Sequence, residues 1–386
     1  MEFISTLSTA PEAESAVREI SEALAGKPLD VAVVFASHHY GPDFTHFIES
    51  LRERIAVRNL IGCTGAGIIG PNREIENGPA VSVWGARWPG VKALPFYVDQ
   101  DDIGRFEDEN DWYDRVGMTP EDKPGFIILP DPYSIDIEAC LHQMDDSFAG
   151  STIVGGLASG AREAGQNSLF MNEQTMRKGM VGLALSGPVR ITSVVSQGCR
   201  PVGKPFVVTK ADQNVIAELG GRPALQVLQE VYHEADPADR GLIEKALHIG
   251  RVVDERLEKF RAGDFIIRNL MGVVKDQCIA VQAIIRPGQT IQFHVRDPKT
   301  AGAELESMLA GKIAELGAAP RGGMLFSCNG RGTHLFGKPN HDIGVINGAA
   351  GDCQVAGFFA AGEIGPVGRK TFVHGFTSSL VIFSEP

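Results

Sequence analysis

One pattern restricts this chain more than any other: a short glycine loop recurs near its two ends, each time behind a strand. Aligning Gly62 with Gly357 also aligns Gly67 with Gly362, Ile69 with Ile364, Gly70 with Gly365 and Pro71 with Pro366. Ahead of the first loop, residues 31–37 are a continuous apolar run, as expected of a strand buried on both faces. Residues 42–57 then restore helical spacing, with Phe44, Phe47, Ile48 and Leu51 on one face. A strand at 80–86 follows the loop at 62–71. Near the other end, a strand at 324–328 precedes the loop at 357–366, and the chain closes with a strand at 379–383. A weaker third copy runs through strand 126–130, helix 134–147, residues 152–155, the loop at 156–160 and strand 180–185. The expected fold is α/β, with mixed sheets built from repeated strand–helix–strand–glycine loop–strand units.

The segments between the copies are less regular. Residues 9–26 read as an amphipathic helix with a glycine stop. Residues 99–123 carry ten Asp or Glu against three Arg or Lys, over half of the chain's net charge of −12. That stretch reads as a solvated linker with a short surface helix. Strands are expected at 190–197, 206–209, 264–269, 279–285 and 290–296, and helices at 223–234 and 300–316.

Composition excludes several classes. A net charge of −12 leaves no basic footprint for nucleic acid or anionic lipid. No apolar run reaches the roughly 18–20 residues that span a bilayer, and no signal peptide precedes the first helix. Six cysteines, without a Cys-x-x-Cys pair, read as reduced thiols rather than a disulfide framework or zinc site. The expected compartment is cytoplasmic.

Several of these residues together resemble a known family. The loop from Gly62 through Gly65 to Gly67, behind its strand–helix–strand, resembles the N-terminal FIST domain. Gly198, Cys199, Arg200, Pro201, Val202 and Gly203, followed by residues 208–209 and 214–224, look like the core of that family. Residues 293–297, 328–332 and 362–366, with His374 and Thr377, resemble the C-terminal FIST domain. The likeness spans about residues 25–385, giving two FIST-like halves: a FIST N-like domain over 25–188 and a FIST C-like domain over 189–385. It implies a cytoplasmic sensory protein in signal transduction that binds a small ligand, commonly an amino acid or related metabolite. Haem binding is implied by some relatives. Output modules joined to such domains have no room in this length, so a separate signalling protein is the expected partner. No cofactor is read from the residues themselves.

The residues that carry chemistry are few. Glycine loops behind strands aim backbone N–H groups into a concavity that suits an anion; Gly65, Gly67 and Ser159 sit on them. Arg200 and Arg331, each in a glycine-flanked segment, suit a carboxylate gripped by two hydrogen bonds. The bland alternative pairs each arginine with Glu363 or Asp297. Glu363 replaces Ile68 at the matching repeat position, and so reads as a partner for a ligand amine or for Arg331. Cys199 and Cys328, with His374 as base and Glu363 or Asp297 as orienter, allow an enzyme acting through a thiol or carboxylate. The expected ligand set is Gly65, Gly67, Ser159, Cys199, Arg200, Cys328, Arg331, Glu363, His374 and Thr377, with no metal. A scaffold that binds only protein is a third reading.

Overall fold

Alternation along the buried strands dictates how the layers form. In the strand Leu29–Ser37, Val31, Val33 and Phe35 face one apolar cluster, and Ala32, Val34 and Ala36 face another. Ile127 and Leu129 separate from Phe126 and Ile128 in the same way, as do Met324 and Phe326 from Leu325. One side of each strand therefore enters a core shared by all three copies. The other side meets that copy's own helices, which explains why these strands read as continuous apolar runs. A computed structural model describes residues 1–42, 44–261, 263–274 and 277–386. Asp43, within the helix expected over 42–57, lies outside them.

Two compact units are present: Met1–Val195 with Leu305–Val373 and Thr377–Pro386, and Ser196–Glu304 with His374–Phe376. The first holds three six-stranded sheets of one design. Their orders are Glu2–Ser8, Val81–Arg87, Leu29–Ser37, Val57–Gly65, Leu169–Met171, Gln174–Met176; then Lys92–Val98, Met180–Ser186, Gly125–Pro130, Ile153–Gly156, Glu363–Val367, Lys370–His374; then Arg190–Ser196, Ser378–Ser384, Gly322–Cys328, Gln354–Ala360, Ile68–Ile69, Glu74–Ile75. The third and fourth strands of each sheet are parallel, and all three expected copies are present.

The last two strands of every sheet come from a different copy. The first copy's hairpin, Ile68–Ile69, pairs with the third copy's Gln354–Ala360. The third copy's Glu363–Val367 pairs with the second's Ile153–Gly156. The second copy's Leu169–Met171 pairs with the first's Val57–Gly65. Exchange thus closes a cycle, and no copy completes its sheet alone. Opposite each exchanged strand lies a glycine that packs closely on its own copy's parallel neighbour. A Cβ on Gly62, Gly155 or Gly357 would lie 2.1, 1.9 or 1.8 Å from the carbonyl oxygen of Val34, Ile128 or Leu325 respectively. Those distances are far inside contact, so only glycine fits.

The acidic stretch at 99–123 is more than a linker. It forms helices Gln100–Arg105 and Glu109–Val116, which bury Ile103, Trp112 and Val116. Asp99 and Asp108 cap them through capping boxes, so part of the negative charge is used at helix N-termini. The second unit is a seven-stranded sheet inserted between the third copy's first strand and its helix Pro298–Leu316. Its strand Cys199–Asp212 runs through residues 199–203, which fall between the strands expected at 190–197 and 206–209, and a register shift between Val202 and Phe206 absorbs the irregularity. Among the described residues, no helix is long and apolar enough to cross a membrane.

Candidate functional site

The repeat supplies an internal comparison at every position. Strand register makes Ile68, Leu169 and Glu363 equivalent: each follows its exchange loop and precedes the residue opposite Gly357, Gly62 or Gly155. Two copies thus bury an aliphatic side chain there, and the third buries a carboxylate, fully inaccessible. Ser37, Asp131 and Cys328 are likewise equivalent. Their N–H groups donate to the carbonyls of Ala80, Gly179 and Thr377 at 2.9, 2.8 and 2.9 Å. Thr377 is the matching change, since its N–H donates to Glu363 Oε2 at 3.1 Å and its hydroxyl donates to the same oxygen. In the first copy that role falls to Ser37, whose Oγ accepts from Ala80 N–H at 3.0 Å. In the second, Asp131 is closed off by Asn167 and Ser134, at 2.8 and 2.5 Å.

Arg331 stands beside this altered corner. The turn after strand Gly322–Cys328 carries it, closed by Arg331 N–H to the Cys328 carbonyl at 2.8 Å. Its side chain is fully buried. Nε and Nη2 donate to the two oxygens of Asp342 at 2.7 and 2.8 Å, a bidentate pair. Phe336 lies under the guanidinium, 5.2 Å from it. Burial works against the charge. The Asp342 carboxylate overcomes it, and Cys328 and Glu363 add smaller negative fields, so the guanidinium stays protonated. Nη1 has no hydrogen-bond partner among the described residues. A buried donor left in that state costs about 1–3 kcal/mol, more when charged.

Asp342 anchors the network from the first turn of helix His341–Ala350. Burial pushes its carboxyl up, yet Arg331 and His341 hold it well below the usual carboxylate range. Ser327 donates to it at 3.0 Å, and His341 Nδ1 lies 3.0 Å away. Glu74, from the first copy's hairpin, accepts from Ile343 N–H at 2.8 Å, and burial, then the charge of Asp342, raises its carboxyl to about 7.

The remaining expected residues divide clearly. Ser159 donates to the Phe359 carbonyl and accepts from Ala66 N–H at 2.9 Å, tying the loops of the other two copies together. A Cβ on Gly65 or Gly67 would come within 2.9 Å of Phe358 or 2.8 Å of Phe359. Around these loops, Thr64, Leu157 and Phe359 donate their N–H groups to the carbonyls of Ser168, Gly362 and Gly67. These loops therefore interlock. Arg200 lies in the inserted unit, on a strand, and its charge is matched there by Asp239 and, at 3.6 Å, Asp297. Cys199 is buried opposite Arg296, and His374 is buried at the end of strand Lys370–His374. Both belong to the inserted unit, whereas Cys328, Arg331, Glu363 and Thr377 belong to the cyclic one. The six cysteines are free thiols. Asp342, Ser327 and Glu74 were missed by sequence reasoning. Nothing in the sequence points from Arg331 to an aspartate eleven residues on.

A cyclic α/β protein with one differentiated copy is thus the class that fold and site define. The FIST N domain matches residues 30–222 and the FIST C domain residues 224–366, so the chain belongs to the FIST family. FIST domains are in general sensory domains that bind small ligands in signalling. An uncharacterized protein of Mycobacterium tuberculosis is 38% identical over 384 residues, covering 98% of both chains. One of Mycobacterium bovis is 37% identical over 382 residues, 98% of this chain and 97% of that one. Among solved structures, a cyanuric acid hydrolase from A. caulinodans aligns with 100% of this chain and 99% of that one, at 8% identity and a TM-score of 0.34. A likeness that slight carries no argument.

Proposed function

We propose that the chain is a cytoplasmic sensor for a small carboxylate-bearing metabolite, of the amino-acid class, held at the third copy. One observation carries this reading. A fully buried guanidinium keeps one nitrogen without a partner among the described residues, beside a buried carboxylate at a position where the other two copies have Ile68 and Leu169. Asp342 fixes Arg331 along one edge and leaves Nη1 for a ligand carboxylate, through a charge-assisted hydrogen bond. Glu363, fixed by Thr377, supplies the negative charge that a ligand ammonium needs. Cys328 adjoins Arg331, whose N–H donates to its carbonyl, and Thr377, whose carbonyl accepts from it. In this reading the FIST N-like half, residues 25–188, supplies two copies as a frame. The FIST C-like half, residues 189–385, supplies the sensing copy and the insertion, and a separate signalling protein reads the change.

A thermal-shift screen of amino acids and dicarboxylates against the purified chain tests the reading. A binder at one hundred times its Kd adds about 2.7 kcal/mol through mass action, a rise of several degrees. If no compound in either class moves the melting temperature, the assignment fails. Depletion of the bound compound over time would replace the sensor with an enzyme.

A further inference from the structure

The helix layer of the third copy differs from those of the other two in a second way. In the first copy, Phe44 and Phe47 share a cluster with Ala16, Val17 and Ile20 of the facing helix. In the second, Trp112 and Tyr113 bridge to the facing helix, through Nε1 to Gln143 at 3.2 Å and the hydroxyl to the Ser147 carbonyl at 3.1 Å. Neither Pro298–Leu316 nor His341–Ala350 in the third copy contains a phenylalanine, tyrosine or tryptophan, and the one ring there, His341, is stacked on Phe336. Ala310 and Ala314 on one wall and Gly344 and Gly348 on the other leave an open groove of about 750 Å³. That volume lies within the roughly 300–1,000 Å³ of small-molecule sites.

Charge marks one end of this groove. Lys338 and His341 line it where helix His341–Ala350 begins, Glu306 is the one carboxylate in its lining, and Lys338 pairs with no carboxylate among the described residues. A cation beside a helix N-terminus favours an anion. The walls carry no phenylalanine, tyrosine or tryptophan of the kind that fills the same crossing in the other copies. We infer that the groove is a second binding site, and that its ligand is a small aromatic carboxylate whose ring takes the place of the missing side chains while its acid meets Lys338. The site does not depend on the ligand proposed for Arg331. The two are nonetheless adjacent through His341, whose Nδ1 lies 3.0 Å from the carboxylate of Asp342.

The test uses 1-anilinonaphthalene-8-sulfonate as a fluorescent aromatic anion, with 4-phenylbutyrate and its neutral amide as competitors. Saturable probe binding is expected, displaced by the acid about threefold more effectively than by the amide, in keeping with one exposed charge pair. Gly348→Leu is the decisive variant. A Cβ there meets nothing within 4 Å, and the residue lines the groove, so a larger side chain is directed into that space. It also replaces a helical glycine with a strong helix former. The variant should melt no lower than the wild type and bind the probe at least tenfold more weakly. Lys338→Gln should abolish the preference for acid over amide. Unsaturable probe binding, or unchanged affinity in a folded Gly348→Leu protein, overturns the inference. Loss of the amino-acid response with groove binding intact would instead fault the Arg331 reading alone.

Discussion

If the three copies are equivalent, the third should accept the polar pattern of the first. Glu363→Ile alone removes a buried carboxylate and inserts the Ile68 equivalent, but strands the N–H and hydroxyl of Thr377, both of which donate to that oxygen. Leaving those two groups unsatisfied costs about 1–3 kcal/mol each. The first copy supplies the remedy, because Ser37 Oγ accepts from Ala80 N–H. The triple variant Cys328→Ser, Thr377→Ala, Glu363→Ile reproduces that arrangement. It removes the hydroxyl, gives the residue 377 N–H a serine acceptor, and exchanges a buried charge for apolar volume. Losing the desolvation cost of a buried carboxylate offsets its lost hydrogen bonds, while Arg331 keeps its bidentate partner Asp342. Urea unfolding followed by circular dichroism should place the triple variant within about 2 kcal/mol of the wild type. The single variant should lie at least about 1 kcal/mol below the triple. A triple variant more than about 4 kcal/mol less stable than the wild type would refute the positional equivalence.

Other outcomes follow from the same contacts. Arg331→Met leaves Asp342 buried without its guanidinium and should lose about 3–5 kcal/mol in urea, whereas Arg200→Met, removing a partly exposed cation, should lose less. Ala at Gly357 should prevent folding, since its Cβ would lie 1.8 Å from the Leu325 oxygen, while Gly344→Ala should stabilise by up to about 1 kcal/mol. His248 and His294 are held near 4 by burial, with Arg296 and His294 adding repulsion at His248. Their folded values lie below the unfolded 6.5, so the unfolded chain takes up protons first. Stability should therefore fall as pH drops from about 6.5 to about 4, by roughly 3 kcal/mol for each histidine. Chemical denaturation across that range should show the loss, and His294→Gln should reduce it.

The fold was legible where a physical demand left a single residue type. Gly62 and Gly357 could be matched because a neighbouring carbonyl excludes any side chain at either site. The second copy, over 126–185, read weakly for a definite reason. Gly62 to Ile68 and Gly357 to Glu363 are each six residues, but Gly155 to Leu169 is fourteen, so the second copy's hairpin falls out of register. Strand exchange itself left no trace, because alternation along a strand is the same whichever copy it pairs with. Glu363 stood out as a carboxylate facing an isoleucine in the alignment, and Thr377 came with the family resemblance. Asp342 did not, since a contact formed by a turn and a helix start has no periodicity to read. The loops at 62–71 and 357–366 suggested open anion cradles by composition. Their donors are instead used by one another, as close backbone approach needs the same glycines.

The central claim is that the third copy alone has become a ligand site. Isothermal titration of a carboxylate found by thermal shift, into wild-type protein and into the triple variant, tests it directly. Heat of binding with the wild type and none with a folded variant is the predicted result; equal affinity for both would contradict it.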